Sequence, residues 1–200
     1  MTEEKELLTI LDRDEYGRLE KFLRDNFGQP KIVKRLSLQS DNYDQTDVDT
    51  RIKITDGKPE LIQKIGDWKN IIKGETRTEV TIPLQKDPET VLNLYKILRN
   101  LVKGTNVQDI VMQYESLIWE TMEFEIKLTK QFGASVAYNC EVEVKKNSLS
   151  PLGVASQLTI PINPPGDSQE FWKDWNSRIN LNADDLNDNE LLGIISKYLK

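Results

Sequence analysis

Three stretches between Arg51 and Leu84 alternate polar with apolar residues, and that period admits few folds. They are Arg51-Ile-Lys53-Ile-Thr55, then Glu60-Leu-Ile62-Gln-Lys64-Ile65 after an Asp-Gly-Lys-Pro turn, then Glu75-Thr-Arg77-Thr-Glu79-Val-Thr-Ile-Pro-Leu84. Successive side chains of a β-strand point to opposite faces. Arg51 and Lys53 therefore share one face opposite Ile52 and Ile54. Arg77, Glu79 and Thr81 share another, opposite Val80 and Ile82. An antiparallel sheet with one wet face would give this pattern without further function. Cations repeated on consecutive strands add a second reading, a surface for a polyanion.

Five further segments read as strands: residues 2–10, 31–39, 108–118, 122–130 and 136–145. Two helices interrupt them. The first follows Asp14, carries Leu19, Phe22, Leu23 and Phe27 at three- and four-residue intervals, and stops at Gly28. The second is capped by Asp87, has Pro88 in its first turn and is closed by Gly104. Eight strands with meander-like turns close into a barrel or make two facing sheets. The expectation is an α+β chain: an eight-stranded antiparallel β-barrel tunnel over residues 1–148, with flanking helices. Residues 149–200 form a helical extension packed on it. Pro151 to Leu158 reads as a short helix and Pro161–Gly166 as a break. The Trp172 and Trp175 region and the closing Asn189–Leu199 read as two helices, the tryptophans serving packing.

Composition removes whole classes of chemistry. The 200 residues include no histidine and one cysteine, Cys140. That excludes His-based triads, imidazole metal sites, an internal disulfide and thiol clusters. A bound metal would need carboxylate oxygens, which favours Mg²⁺, Mn²⁺ or Ca²⁺. The net charge of −6 argues against a general nucleic-acid binder. No apolar run approaches the roughly 20 residues that cross a bilayer. The acidic first residues are unlike a signal peptide, so a cytoplasmic location is the default.

Two carboxylate pairs bracket the barrel, Glu4 and Glu6 on the first strand and Glu141 and Glu143 on the last. In a closed barrel those strands are neighbours, and four carboxylates then meet on the inner face. Packed like charges raise each other's pKa unless a cation joins them, and a hard divalent metal is the natural occupant. Arg51, Lys53, Lys64 and Arg77 would face the same interior and grip phosphate oxygens.

In this order and spacing the segments resemble the CYTH superfamily, the triphosphate tunnel metalloenzymes, over roughly residues 3–145. The family's Glu-x-Glu-x-Lys opening is matched in its two glutamates by Glu4-Lys-Glu6-Leu-Leu8. Its Leu-Arg-Ile-Arg strand is matched by Thr50-Arg51-Ile-Lys53. The strand ending in Lys-Gly is matched by Gln63-Lys64-Ile-Gly66. Arg77-Thr-Glu79 and Glu141-Val-Glu143 match the Arg-x-Glu and terminal Glu-x-Glu strands. The chain departs from the family at Leu8, at Met112-Gln113-Tyr114 where a basic cluster is expected, and at Lys127 where an aspartate is expected.

The resemblance implies metal-dependent hydrolysis of a triphosphate-containing small molecule, inorganic or organic. Mg²⁺ or Mn²⁺ would be held by Glu4, Glu6, Glu141 and Glu143. Arg51, Lys53, Lys64 and Arg77 would hold phosphate, with Glu79 and Lys64 as the catalytic residues. Cyclisation stays open as an alternative reaction. The departures point to the other reading, a non-catalytic tunnel that binds a nucleotide, a polyphosphate or an RNA 5′ end. Exposed alternating charges with no site at all complete the alternatives.

Overall fold

A computed structural model describes residues 5–44, 47–66, 78–102, 104, 106–146, 148–166 and 168–200. Eight strands run β1 (Lys5–Leu11), β2 (Lys31–Asn42), β3 (Val48–Thr55), β4 (Lys58–Ile65), β5 (Thr78–Pro83), β6 (Val107–Glu120), β7 (Phe124–Phe132) and β8 (Val136–Val144). Helix α1 (Arg13–Phe27) follows β1, and α2 (Pro88–Leu101) follows β5. The C-terminal part supplies α3 (Pro151–Gln157), α4 (Gln169–Ile179), a two-residue strand β9 (Leu181–Asn182) and α5 (Asp188–Tyr198).

All neighbouring strands pair antiparallel in the order β1-β8-β7-β6-β2-β3-β4-β5. The first and last long strands, β1 and β8, are neighbours, with Glu6 opposite Glu143 and Leu8 opposite Glu141. Among the described residues the ladder itself stays open, ending at β1 and β5. The outer edge of β1 takes residues 161–163 instead. Ile10 N donates to Asn163 O at 2.8 Å, and Asn163 N donates to Thr9 Oγ1, also at 2.8 Å. An edge covered in this way is removed as a pairing hazard. The sheet nonetheless curls enough for Glu6 of β1 and Glu79 of β5 to line one cavity.

Alternation decides which side of the curl is apolar. Leu36, Leu38, Ile52, Ile54 and Val111 point outward and are buried against Val91, Leu92 and Tyr95 of α2 and Leu191, Ile195 and Tyr198 of α5. A second outer cluster packs Leu117, Trp119, Ile126, Leu128, Cys140 and Val142 under Leu19 and Leu23 of α1 and Val154 and Ala155 of α3. Cys140 is fully buried there, and burial pushes its thiol up to about 12. The core therefore lies outside the sheet and leaves the concave face to polar side chains.

Helix punctuation follows the sequence with two shifts. Asp12 caps α1, just before the stretch read as helical, through a reciprocal capping box with Glu15. Helix α2 ends at Leu101 with Val102 as its cap, short of Gly104. A Cβ on Gly104 would stand 3.0 Å from the Asn42 side chain, so this glycine serves a close approach and not the helix end. The strand β9 had no sequence signal. It takes up β6 at Ile110 and Val111, just beyond the point where β7 stops opposite Gln113.

Candidate functional site

The concave face encloses a cavity of about 660 Å³. That lies within the range of small-molecule sites. Its walls have opposite character. Glu6, Glu141 and Glu143 come from β1 and β8, whereas Arg35, Arg51, Lys53 and Lys64 come from β2, β3 and β4. Ser37, Gln39, Ser116, Thr129 and Asn139 fill much of the space between.

Two of the four cations on the basic wall, Arg51 and Lys64, have an acid of their own. Arg51 makes a two-pronged ion pair with Asp49, which holds the guanidinium charged despite burial. Lys64 Nζ lies 3.2 Å from Glu79 Oε2. Burial alone would raise the Glu79 carboxyl, but Lys64, with Thr81 and Lys53, outweighs it and the pKa is lowered. Two cations differ. Among the described residues no carboxylate lies within ion-pairing distance of Arg35 or Lys53, and Arg35 Nε donates to Thr55 Oγ1 at 3.2 Å. Burial, then Arg35, lower the Lys53 pKa, with Lys64 adding to them and Glu79 and Glu60 opposing, and the net shift is downward.

On the acidic wall, strand register sets Glu6, Glu143 and Glu125 in one cross-strand row and Leu8, Glu141 and Lys127 in the next. Lys127 Nζ donates to Glu141 Oε1 and stands 4.0 Å from Glu125 Oε1. Burial disfavours its charge, yet Glu141 and Glu125 more than restore it, and the Lys127 pKa lies above its ordinary value. The CYTH resemblance implies a divalent ion among these carboxylates. Among the described residues no group of three or more Asp, Glu, Cys or His side chains is placed to hold one. Of the expected donors, Glu141 is taken by the ammonium of Lys127.

The C-terminal part contributes to the lining of the cavity. Pro164, Pro165 and, from α4, Gln169, Trp172, Trp175 and Asn176 line it. Asn176 Nδ2 donates to Tyr43 Oη at 2.9 Å, Asn180 Nδ2 to Asn176 Oδ1 at 2.9 Å, and Gln131 Nε2 to Asn180 Oδ1 at 2.7 Å. Trp175 and Ile179 pack with Ala137 and Ile10. Two buried oxygens in the lining, Ser37 Oγ and Gln39 Oε1, have no hydrogen-bond partner among the described residues.

Of the residues singled out from the sequence, Glu6, Arg51, Lys53, Lys64, Glu79, Glu141 and Glu143 line one cavity. Glu4 and Arg77 lie outside the described residues. Sequence reasoning passed over Arg35, although Arg35-Leu-Ser37-Leu-Gln39 alternates as clearly as Arg51-Ile-Lys53. It also assigned the tryptophans to packing alone. A helical Phe171-Trp172-Lys173-Asp174-Trp175 pattern carries no mark of which surface it covers.

No protein-family profile matches the chain, and a search of curated proteins finds no match. Solved structures do. A candidate adenylate cyclase from Bacillus halodurans is 14% identical, covers 82% of this chain and 96% of its own, and superposes with a TM-score of 0.56. A candidate adenylyl cyclase from Hippeastrum, described as having a dominant triphosphatase activity, is 13% identical over 86% of this chain and 95% of its own, with a TM-score of 0.56. A protein from Pyrococcus horikoshii is 19% identical over 79% and 91%, with a TM-score of 0.55. At such identities the likeness shows a shared fold. No helix among the described residues is long and apolar enough to cross a membrane.

Proposed function

We propose that the tunnel binds a small molecule carrying a triphosphate, its phosphoryl oxygens held by Arg35, Arg51, Lys53 and Lys64 and, beyond the described residues, Arg77. The observation that carries this reading is the pair Arg35 and Lys53, two cations of the cavity wall with no carboxylate within ion-pairing distance among the described residues. A polyanion would relieve their mutual repulsion, and Arg offers it a planar fork where Lys offers a point charge.

A second reading starts from Glu6, Glu141 and Glu143, which line the same cavity as the cations. There Glu4, Glu6, Glu141 and Glu143 would hold Mg²⁺ or Mn²⁺, and Lys64 and Glu79 would act at the phosphoryl group, making the chain a triphosphatase. Melting with tripolyphosphate, nucleoside triphosphates and a 5′-triphosphate RNA oligonucleotide separates these readings, run beside a phosphate-release assay. A ligand that binds only the native state raises the melting temperature. Binding without turnover supports the first reading. Phosphate release that requires Mg²⁺ or Mn²⁺ and disappears in Glu141→Ala supports the second. Neither effect with any triphosphate would refute both.

A further inference from the structure

Part of the charge on the acidic wall is offset from within the chain, where Lys127 pairs with Glu141. We infer that Lys127 is a built-in counter-ion, occupying Glu141, one of the carboxylates a divalent ion would need, so that the tunnel holds its anionic ligand without such a metal. The inference rests on the reading of the tunnel as a triphosphate site.

Three observations carry it. Register puts Lys127 on β7 directly opposite Glu141 of β8, with Glu125 and Glu143 facing each other in the adjacent row. The Lys127 ammonium hydrogen-bonds Glu141 and stands 4.0 Å from Glu125, so a fixed positive charge sits between these acids. Among the described residues no three acidic side chains converge on a point that a metal could occupy. Mg²⁺ demands near-octahedral oxygen ligands at about 2.0–2.1 Å. To provide them Glu141 would have to leave Lys127, and the ion would still lie against an ammonium. That ammonium also lines the cavity. It has three N–H donors and Glu141 accepts one, which leaves donors to turn toward a phosphoryl oxygen. Lys127 would thus do two things that a bridging metal does, offsetting the acids and touching the ligand.

The test uses the whole chain and two probes. Free Mn²⁺ is followed by electron paramagnetic resonance as wild type, Lys127→Gln and Glu141→Gln are titrated in. Tripolyphosphate binding is measured by calorimetry in EDTA and again with added Mg²⁺. The expected results are no Mn²⁺ uptake by wild type, affinity for Mn²⁺ stronger by about tenfold or more in Lys127→Gln, and tripolyphosphate binding that survives EDTA. Mn²⁺ uptake by wild type that Glu141→Gln abolishes would overturn the inference, and this arm does not need the Lys127 variant to fold. A folded Lys127→Gln that takes up no Mn²⁺ would overturn it as well. Tripolyphosphate binding only with Mg²⁺ present overturns the inference and leaves the triphosphate reading standing. No tripolyphosphate binding under any condition removes that reading, while the Mn²⁺ titrations still decide what Lys127 does.

Discussion

Asp41 shows how closely this interior balances its charges. It faces the cavity from β2, accepts from Gln39 Nε2, and has Asp49 and Arg51 of β3 nearby. Burial, and then Asp49, raise its pKa to about 6, against 3.8 for an ordinary Asp. An acid whose folded pKa is raised binds its proton more tightly when folded. Its contribution to stability is therefore complete below about pH 4 and is lost as pH rises through about 6. Relative to Asp41→Asn, which stays neutral, wild type should lose about 1–3 kcal/mol between pH 4 and pH 7. Urea melts of both proteins across that range measure it, and parallel curves would show that Asp41 does not titrate there. Residue identity was legible where side chains alternate, as at Arg51 and Lys53. Lys127 was legible as a departure from a family pattern. What the departure does was not, because its partners Glu141 and Glu125 lie on one neighbouring strand and on its own, and only register brings all three together.

At the scale of elements, periodicity and caps exposed every long strand and helix, within a few residues at the ends. Asp87 and Pro88 start α2 as read from the sequence, whereas the Asn187 cap of α5, in a reciprocal box with Glu190, was passed over. The docking of the C-terminal part was not legible, since it depends on shape and backbone contact. Gly133, at the turn from β7 to β8, is one such place. A Cβ there would stand 2.8 Å from Ile179 O and 2.9 Å from Leu181 N, both backbone atoms. Gly133→Ala should therefore push the end of α4 off the turn and cost about 1–3 kcal/mol. Gly17 lies within α1, and a methyl group added there would meet nothing within 4 Å. Gly17→Ala should gain about 0.5–1 kcal/mol from helix propensity. Chemical denaturation of the two variants checks the opposite signs.

Across the whole molecule, an acidic chain encloses a cavity whose basic wall is built from β2, β3 and β4. Placing both apolar clusters outside the curled sheet is what frees that interior for charge. Alternation in the sequence forecast this arrangement, because each strand offers one apolar and one polar face. It did not forecast that β1 would give its outer edge to residues 161–163. The central claim is that Arg35 and Lys53 hold phosphate inside the tunnel. Isothermal titration of tripolyphosphate into wild type, Arg35→Ala and Lys53→Ala tests it most directly. The account expects one ligand per chain, weakened about tenfold to a hundredfold by each substitution, since a hydrogen bond to a charged group is worth roughly 1.5–3 kcal/mol. Absence of binding to wild type, or equal affinity in all three proteins, would contradict it.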